Sequence, residues 1–324
     1  MRKLWMTLIL CLVAGCAGSK SKVESASEPA KPPHNPWSWL PETSAMVGRI
    51  AVAELKKTQL WPLWHEIEGE QKLASWISID KVAHVTFGGT GQTREDMSYV
   101  AALEGEFAGN ELATLSRRDH VVAEKRGLLK VYRRPEGYWA QISPELILVF
   151  TADRLEEVVA RAALGDGTAI KEGALWKSLA ARVSIETAHV ALLAEDPEGK
   201  GRALLDKQAS RYGLGSFARD ASRVGLGIEV GAEYRFIAVA ETPDEQRSNA
   251  TAEEVKKTLD SISSNFFVRM LGIGALLSKV RVSNDSQYVF VRGNVPEVDF
   301  NEVIQRVHSA LSLANGAGSL GELP

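Results

Sequence analysis

The order of motifs between Trp39 and Leu164 recurs between Val183 and Leu313, and a recurrence of that length constrains the fold more than any single residue does. Four anchors carry it. Glu42-Thr43-Ser44-Ala45-Met46-Val47 answers Glu186-Thr187-Ala188-His189-Val190, each leading into a short apolar strand. The segment from Lys81-Val82 to Phe87 answers Arg223-Val224 to Val230, and Tyr99-Val100-Ala101-Ala102-Leu103-Glu104 answers Phe236-Ile237-Ala238-Val239-Ala240-Glu241, so that each copy reads as an antiparallel hairpin. A second hairpin spans Lys130-Val131 to Ile142 and answers Lys279-Val280 to Val291, with Pro135-Glu136-Gly137 or Asn284-Asp285-Ser286 as turn residues. A helix closes each copy. Leu155, Val158, Val159 and Ala162 follow Asp153 at helical spacing, as Phe300, Val303, Ile304 and Val307 follow Asp299.

Each copy has room for a helix after its first strand and another after its central hairpin. Leu63, Trp64, Ile67, Ala74 and Ile77 share a helical face after Pro62, while Thr251 and Glu254 suit a capping box before Val255, Leu259, Ile262 and Phe266. Hairpins with helices between them predict an α+β fold of two similar units, each an antiparallel hairpin-rich sheet covered by helices. The units are expected at residues 37–165 and 183–313, joined by a connection at 166–182 and followed by a disordered tail at 314–324. The βαβ alternation of a dinucleotide-binding fold is absent.

The first 36 residues have a different composition. Arg2 and Lys3 precede an apolar run, Leu4 to Val13, that is too short to span a bilayer, and Ala14 and Gly15 supply the small residues a signal peptidase needs. The ending Val13-Ala14-Gly15-Cys16 resembles the lipobox of bacterial lipoproteins. That resemblance implies a signal peptide at 1–15, removed so that Cys16 becomes an acylated, palmitate-bearing N-terminus and a membrane anchor. Ala17 takes the place of the aspartate that would resemble an inner-membrane retention signal, which favours the periplasmic face of the outer membrane in a Gram-negative source. Residues 16–36 form the lipidated tether. Their Ser, Lys, Glu and Pro cannot collapse into a core, and about 20 residues reach roughly 65 Å when extended.

Charge and thiols narrow the function. Arg2 and Lys3 leave with the signal, so the 38 basic and 41 acidic residues of the chain become an acidic excess of five, with no basic field for nucleic acid. Cys11 and Cys16 are the 2 cysteines, so the exported body has no disulfide and depends on packing.

No residue pattern marks a reaction. His34, His65, His84, His120, His189 and His308 lack metal-ligand spacing, and the group His65, Glu66, Glu68 and Glu70 reads as a hydrated helix face. There is no Gly-x-Ser-x-Gly elbow, Ser19 and Lys22 fall in the tether, and Gly88-Gly89-Thr90-Gly91-Gln92-Thr93 lacks the lysine of a phosphate loop and reads as a hairpin. Glu156-Glu157 and Glu253-Glu254 read as solvated helix faces. The sequence calls for no cofactor and no metal. Five of the 8 tryptophans, Trp37, Trp39, Trp61, Trp64 and Trp76, crowd the start of the body, and Trp37 and Trp39 beside the tether are the candidate binding surface for a sugar, a partner protein or a lipid interface.

These features predict a lipid-anchored cell-envelope protein with a non-catalytic binding or scaffolding role. Its expected partners are the membrane, through acyl chains on Cys16, and an envelope protein, glycan or lipid ligand. The alternatives are a carrier of an apolar or lipid ligand and, third, a hydrolase of envelope polymers.

Overall fold

Among the described residues, short apolar runs separated by turn residues give twelve strands: β1 (Met46–Ile50), β2 (Val82–Thr90), β3 (Ser98–Gly105), β4 (Ala123–Arg126), β5 (Leu129–Arg134), β6 (Gly137–Ser143), β7 (Leu146–Phe150), β8 (Val190–Glu195), β9 (Arg223–Glu229), β10 (Glu233–Glu241), β11 (Val280–Asp285) and β12 (Tyr288–Pro296). The helices are α1 (Val52–Leu55), α2 (Glu111–Arg118), α3 (Leu155–Leu164), α4 (Ala174–Leu179), α5 (Glu245–Ser264), α6 (Phe266–Met270) and α7 (Ile273–Leu277), and residues 297–306 are also helical. The structure is a computed structural model, and it describes residues 32–58, 61, 76–91, 96–135, 137–165, 167–196 and 220–306. The expected helix through Leu63, Trp64, Ile67 and Ala74 lies outside the described residues, as do the tail at 314–324 and the signal and tether up to residue 31.

The fold is α+β, with all twelve strands in one antiparallel sheet of order β11-β12-β10-β9-β8-β1-β2-β3-β7-β6-β5-β4. The expected pair of separate sheets is therefore replaced by a continuous one. β1 pairs with β8 from Met46↔Ala194 to Ile50↔Val190. Main-chain bonds prolong this seam at both ends, from Ala51 N–H to the His189 carbonyl (2.6 Å) and from Glu195 N–H to the Ala45 carbonyl (2.8 Å).

Outward from the seam, β1-β2-β3 and β8-β9-β10 run in the same order, and the second strand of a hairpin then follows on each side, β7 beside β3 and β12 beside β10. The expected match of residues 130–142 with 279–291 is displaced by one strand. Residues 130–142 belong to β5 and β6, whereas β6 and β7 stand where β11 and β12 do. β7 escapes a search for alternation because all five residues of Leu146-Ile147-Leu148-Val149-Phe150 are buried, with both faces of the sheet covered at this point.

The two faces carry different cores. On one, Leu146, Leu148 and Phe150 join Trp39, Leu40, Val47 and Val100 beneath α3, and the cluster crosses the seam through Leu179, Val183 and Leu193 to Val239 and Phe290. On the other, Ile147 and Val149 join Trp76, Leu103, Leu112, Tyr132 and Trp139. α3 buries Leu155, Val158 and Ala162, the stripe its spacing predicts. α5 starts earlier than Thr251. Asp244 caps it by accepting from Arg247 N–H (2.8 Å), and Thr251 is buried within the helix.

Two close approaches hold this arrangement. A Cβ on Gly227 would lie 2.3 Å from the Val183 carbonyl oxygen, so the bare backbone of β9 is what lets the segment after α4 lie flat on the sheet. In the second core, Trp76 Nε1 donates to Asp119 Oδ2 (2.5 Å) while the Arg134 guanidinium stands 4.8 Å from the same indole ring. Arg118 donates to the other Asp119 oxygen (2.7 Å).

Gly227→Ala should lower stability by about 1–3 kcal/mol through overpacking against backbone that cannot rotate away. A urea midpoint equal to that of the wild type, with equal m-value, would contradict this close approach. The pH dependence of stability is a second test. The Arg118 and Trp76 hydrogen bonds hold the Asp119 carboxyl down to about 2, against an ordinary 3.8. The unfolded chain is thus protonated first as pH falls, so this contribution is complete above the ordinary value and disappears as pH drops towards 2. Melting temperature against pH should fall less steeply over that window in Asp119→Asn than in the wild type, and parallel profiles would count against the bond network.

Candidate functional site

Cys16 lies outside the described residues, and the tryptophans proposed from sequence as a surface are in the core. Trp37 is 5% exposed and Trp39 0%. The sequence Asn35-Pro36-Trp37-Ser38-Trp39 makes a 3-10 turn, with Asn35 accepting from Trp37 N–H (3.1 Å), and that turn carries both indoles inward. Trp39 Nε1 donates to the Pro33 carbonyl (3.1 Å), and the Trp37 ring meets Trp176 edge-on at 4.9 Å. These contacts correct the surface assignment: the segment entering the fold is a plug.

Of the described histidines, His34 and His120 are exposed, whereas His84 and His189 are half-buried in the sheet. His189 Nδ1 accepts from Val230 N–H (2.8 Å). Burial, with the Arg49 charge, lowers the His84 pKa below its ordinary value. The group at His65, Glu66, Glu68 and Glu70 lies outside the described residues, and no cluster of three or more His, Cys, Asp or Glu suited to a metal occurs among the described residues. Gly88, Gly89 and Thr90 belong to β2, consistent with a hairpin. Glu157 is held on α3 by Arg154 (2.8 Å) and Arg161 (2.9 Å).

Among the described residues, a polar concavity lies between α4 and the β11–β12 hairpin. It has a volume of about 600 Å³ and is lined by Lys177, Ser178, Arg182, Ser283, Asp285 and Arg292 together with Phe290. α4 is positioned by Leu175 and Leu179, which are buried against the sheet, so its opposite side presents Lys177 to solvent and Ser178 to the hairpin. Ser178 Oγ donates to Glu241 Oε2 (2.6 Å) and lies 3.3 Å from Tyr288 Oη. Glu241 itself is 8% exposed. It accepts from Arg223 Nη1 (3.1 Å) and Gln287 Nε2 (2.7 Å), so its charge is compensated before it reaches the groove. Burial works against the Arg223 charge, but its bonds to Glu195 and Glu241 outweigh it and raise the Arg223 pKa.

Nothing local in the sequence marks this groove, because Lys177 and Arg182 flank a connection while Arg292 sits in the last strand. The readable signal was the amphipathic Leu175-Trp176-Leu179 stretch, which places one side of α4 in the core.

No family model matches the chain, and no curated protein sequence matches it. Among solved structures it is similar to TP0453 in crystal form I, with 12% identity, a TM-score of 0.49, and coverage of 83% of this chain and 96% of that one. Crystal form IV of TP0453 gives 13% identity and a TM-score of 0.47 over 83% and 96% of the two chains. Likenesses this distant transfer no function. Among the described residues no helix is long and apolar enough to cross a membrane.

Trp39→Ala should cost about 3–5 kcal/mol, the range for emptying a large aromatic site in a packed core. Denaturant titration measures it, and a loss close to zero would restore the indole to the role of a surface group.

Proposed function

We propose that this chain is a lipid-tethered cell-envelope protein whose body binds or scaffolds without catalysing a reaction. The observation that carries the reading is Val13-Ala14-Gly15-Cys16 at the end of a short apolar run that follows Arg2 and Lys3. In this reading Cys16 is the acylated N-terminus, the polar residues from Ala17 to Lys31 are a spacer, and the β-sheet body stands off the membrane. Ala17 after the cysteine favours the periplasmic face of the outer membrane. A non-catalytic role draws on the groove beside α4, where Asp285 is the lining carboxylate and Glu241, behind Ser178, is already committed to Arg223, Gln287 and Ser178. We also read the halves around the β1–β8 seam as copies of one unit, supported by their common strand order for the first three strands.

A second reading, a carrier of an apolar or lipid ligand, draws support from a row of half-buried apolar side chains on the face away from α4. Val190 and Leu192 of β8, Leu226 and Ile228 of β9 and Phe236 of β10 compose it. Mass spectrometry of the organic extract of the purified protein separates the two readings, since a carrier brings stoichiometric lipid with it.

The anchoring chemistry has a direct test. Cys16→Ser removes the acceptor thiol, and Cys11 cannot replace it because it leaves with the signal. The variant should remain unprocessed or enter the soluble envelope fraction with its body folded, and radiolabelled fatty acid should enter the wild type alone. Equal membrane association of the two proteins, with label in neither, would refute the lipoprotein reading.

A further inference from the structure

Two arginines line the groove beside α4 and a third stands next to them, and among the described residues none of the three pairs with an acid. Arg182, just after α4, donates from Nε to the Ser178 carbonyl (3.0 Å), and its guanidinium carbon lies 3.6 Å from the centre of the Tyr288 ring. Arg292 of β12 stands 4.2 Å from the centre of the Phe290 ring and donates from Nη1 to Ser283 Oγ (3.0 Å). Arg281 of β11 is the direct cross-strand partner of Arg292, and it donates to the Ser278 carbonyl (2.9 Å). These bonds end on carbonyl or hydroxyl oxygens, and no carboxylate pairs with any of the three among the described residues.

The arrangement is unfavourable as it stands. Like charges directly opposite on neighbouring strands destabilise a sheet, and Arg281 and Arg292 are such a pair. The opposing charges are few: Asp285 lines the groove and accepts from Ser286 Oγ (3.2 Å), while Lys177 is offset by Glu172 at the exposed rim (2.8 Å). An anion between the guanidinium groups would remove the repulsion.

The geometry also prepares the donors. Tyr288 and Phe290 have ring centres 6.4 Å apart, and each carries a guanidinium group against its ring. Stacking occupies the faces of a guanidinium and leaves its N–H edges to bond outward. Ser283 accepts from Arg292, which leaves its own hydroxyl hydrogen to donate. Two arginine forks lining one groove with a hydroxyl beside them match a tetrahedral anion with several acceptor oxygens better than a single planar carboxylate.

We infer that the groove between α4 and the β11–β12 hairpin binds a phosphate group through Arg182 and Arg292, with Arg281 adding positive potential. The phosphate belongs either to a phospholipid headgroup or to a soluble phosphate ester. The inference goes beyond the anchoring proposal and does not depend on Cys16.

The test uses the full chain in a non-ionic detergent. Inorganic phosphate, glycerol 3-phosphate and a short-chain, water-soluble phosphatidylglycerol are titrated by calorimetry, with a short-chain diacylglycerol as the phosphate-free control. The phosphate probes should bind, the control should not, and Arg182→Gln/Arg292→Gln should weaken binding by about tenfold or more, the loss expected for charge-assisted hydrogen bonds. Tighter binding of the lipid than of glycerol 3-phosphate assigns the headgroup as the source, and equal binding assigns a soluble ester. Added phosphate should raise the melting temperature of the wild type and not that of the double variant. The inference is overturned if phosphate stabilises the wild type no more than sodium chloride does at equal ionic strength, or if the double variant responds equally.

Discussion

The pairing of β1 with β8 is the contact on which the rest of the molecule depends. Each is the first strand of its half, and in a half standing alone it would expose an unsatisfied edge, the usual template for aggregation. Joined from Met46↔Ala194 to Ile50↔Val190, they turn two open sheets into one and leave β4 and β11 as the edges. Arg49 bonds across the junction to the Glu186 carbonyl (2.8 Å), and the first core runs through it from Val47 to Leu193. A chain with no disulfide in its body gains its stability from packing of this kind.

A second constraint follows from the first. The stretch between the halves must return across the sheet from α3 to β8, and it can lie close only where β9 is bare. Gly225 and Gly227 provide that strip, and Val183 settles on it. α4 is thereby fixed over β8 and β9, with Ser178 against Glu241 and Arg182 on the Tyr288 ring. The groove is a consequence of the crossing, so its residues come from segments far apart in the chain. The edge position of β11 gives Arg281 a further value, since a charged edge strand resists pairing with another sheet.

The sequence was legible where the pattern is local. Hairpins such as β2–β3 and β9–β10 declare themselves through apolar runs and turns, and α3 through its buried stripe of Leu155, Val158 and Ala162. It was misleading where burial has two sides or capping competes: β7 is apolar throughout and has no alternation, while Asp244 starts α5 earlier than the Thr251 and Glu254 pair suggests. Trp37 and Trp39 look exposed in sequence because they adjoin a polar tether, but Pro36 and the Asn35 cap turn them inward. A groove assembled from Arg182, Ser283 and Arg292 has no local signature at all. The proposed anchoring is the reverse case, resting wholly on Val13-Ala14-Gly15-Cys16.

Those four residues carry the central functional claim, which joins a packed β-sheet body to a membrane through one thioether. Mass spectrometry of the N-terminal peptide of the mature protein, purified from its native membrane, tests it most directly. The account predicts a peptide that begins at Cys16 and carries a diacylglyceryl group on the sulfur. A mature chain that begins elsewhere, or at an unmodified Cys16, would contradict it.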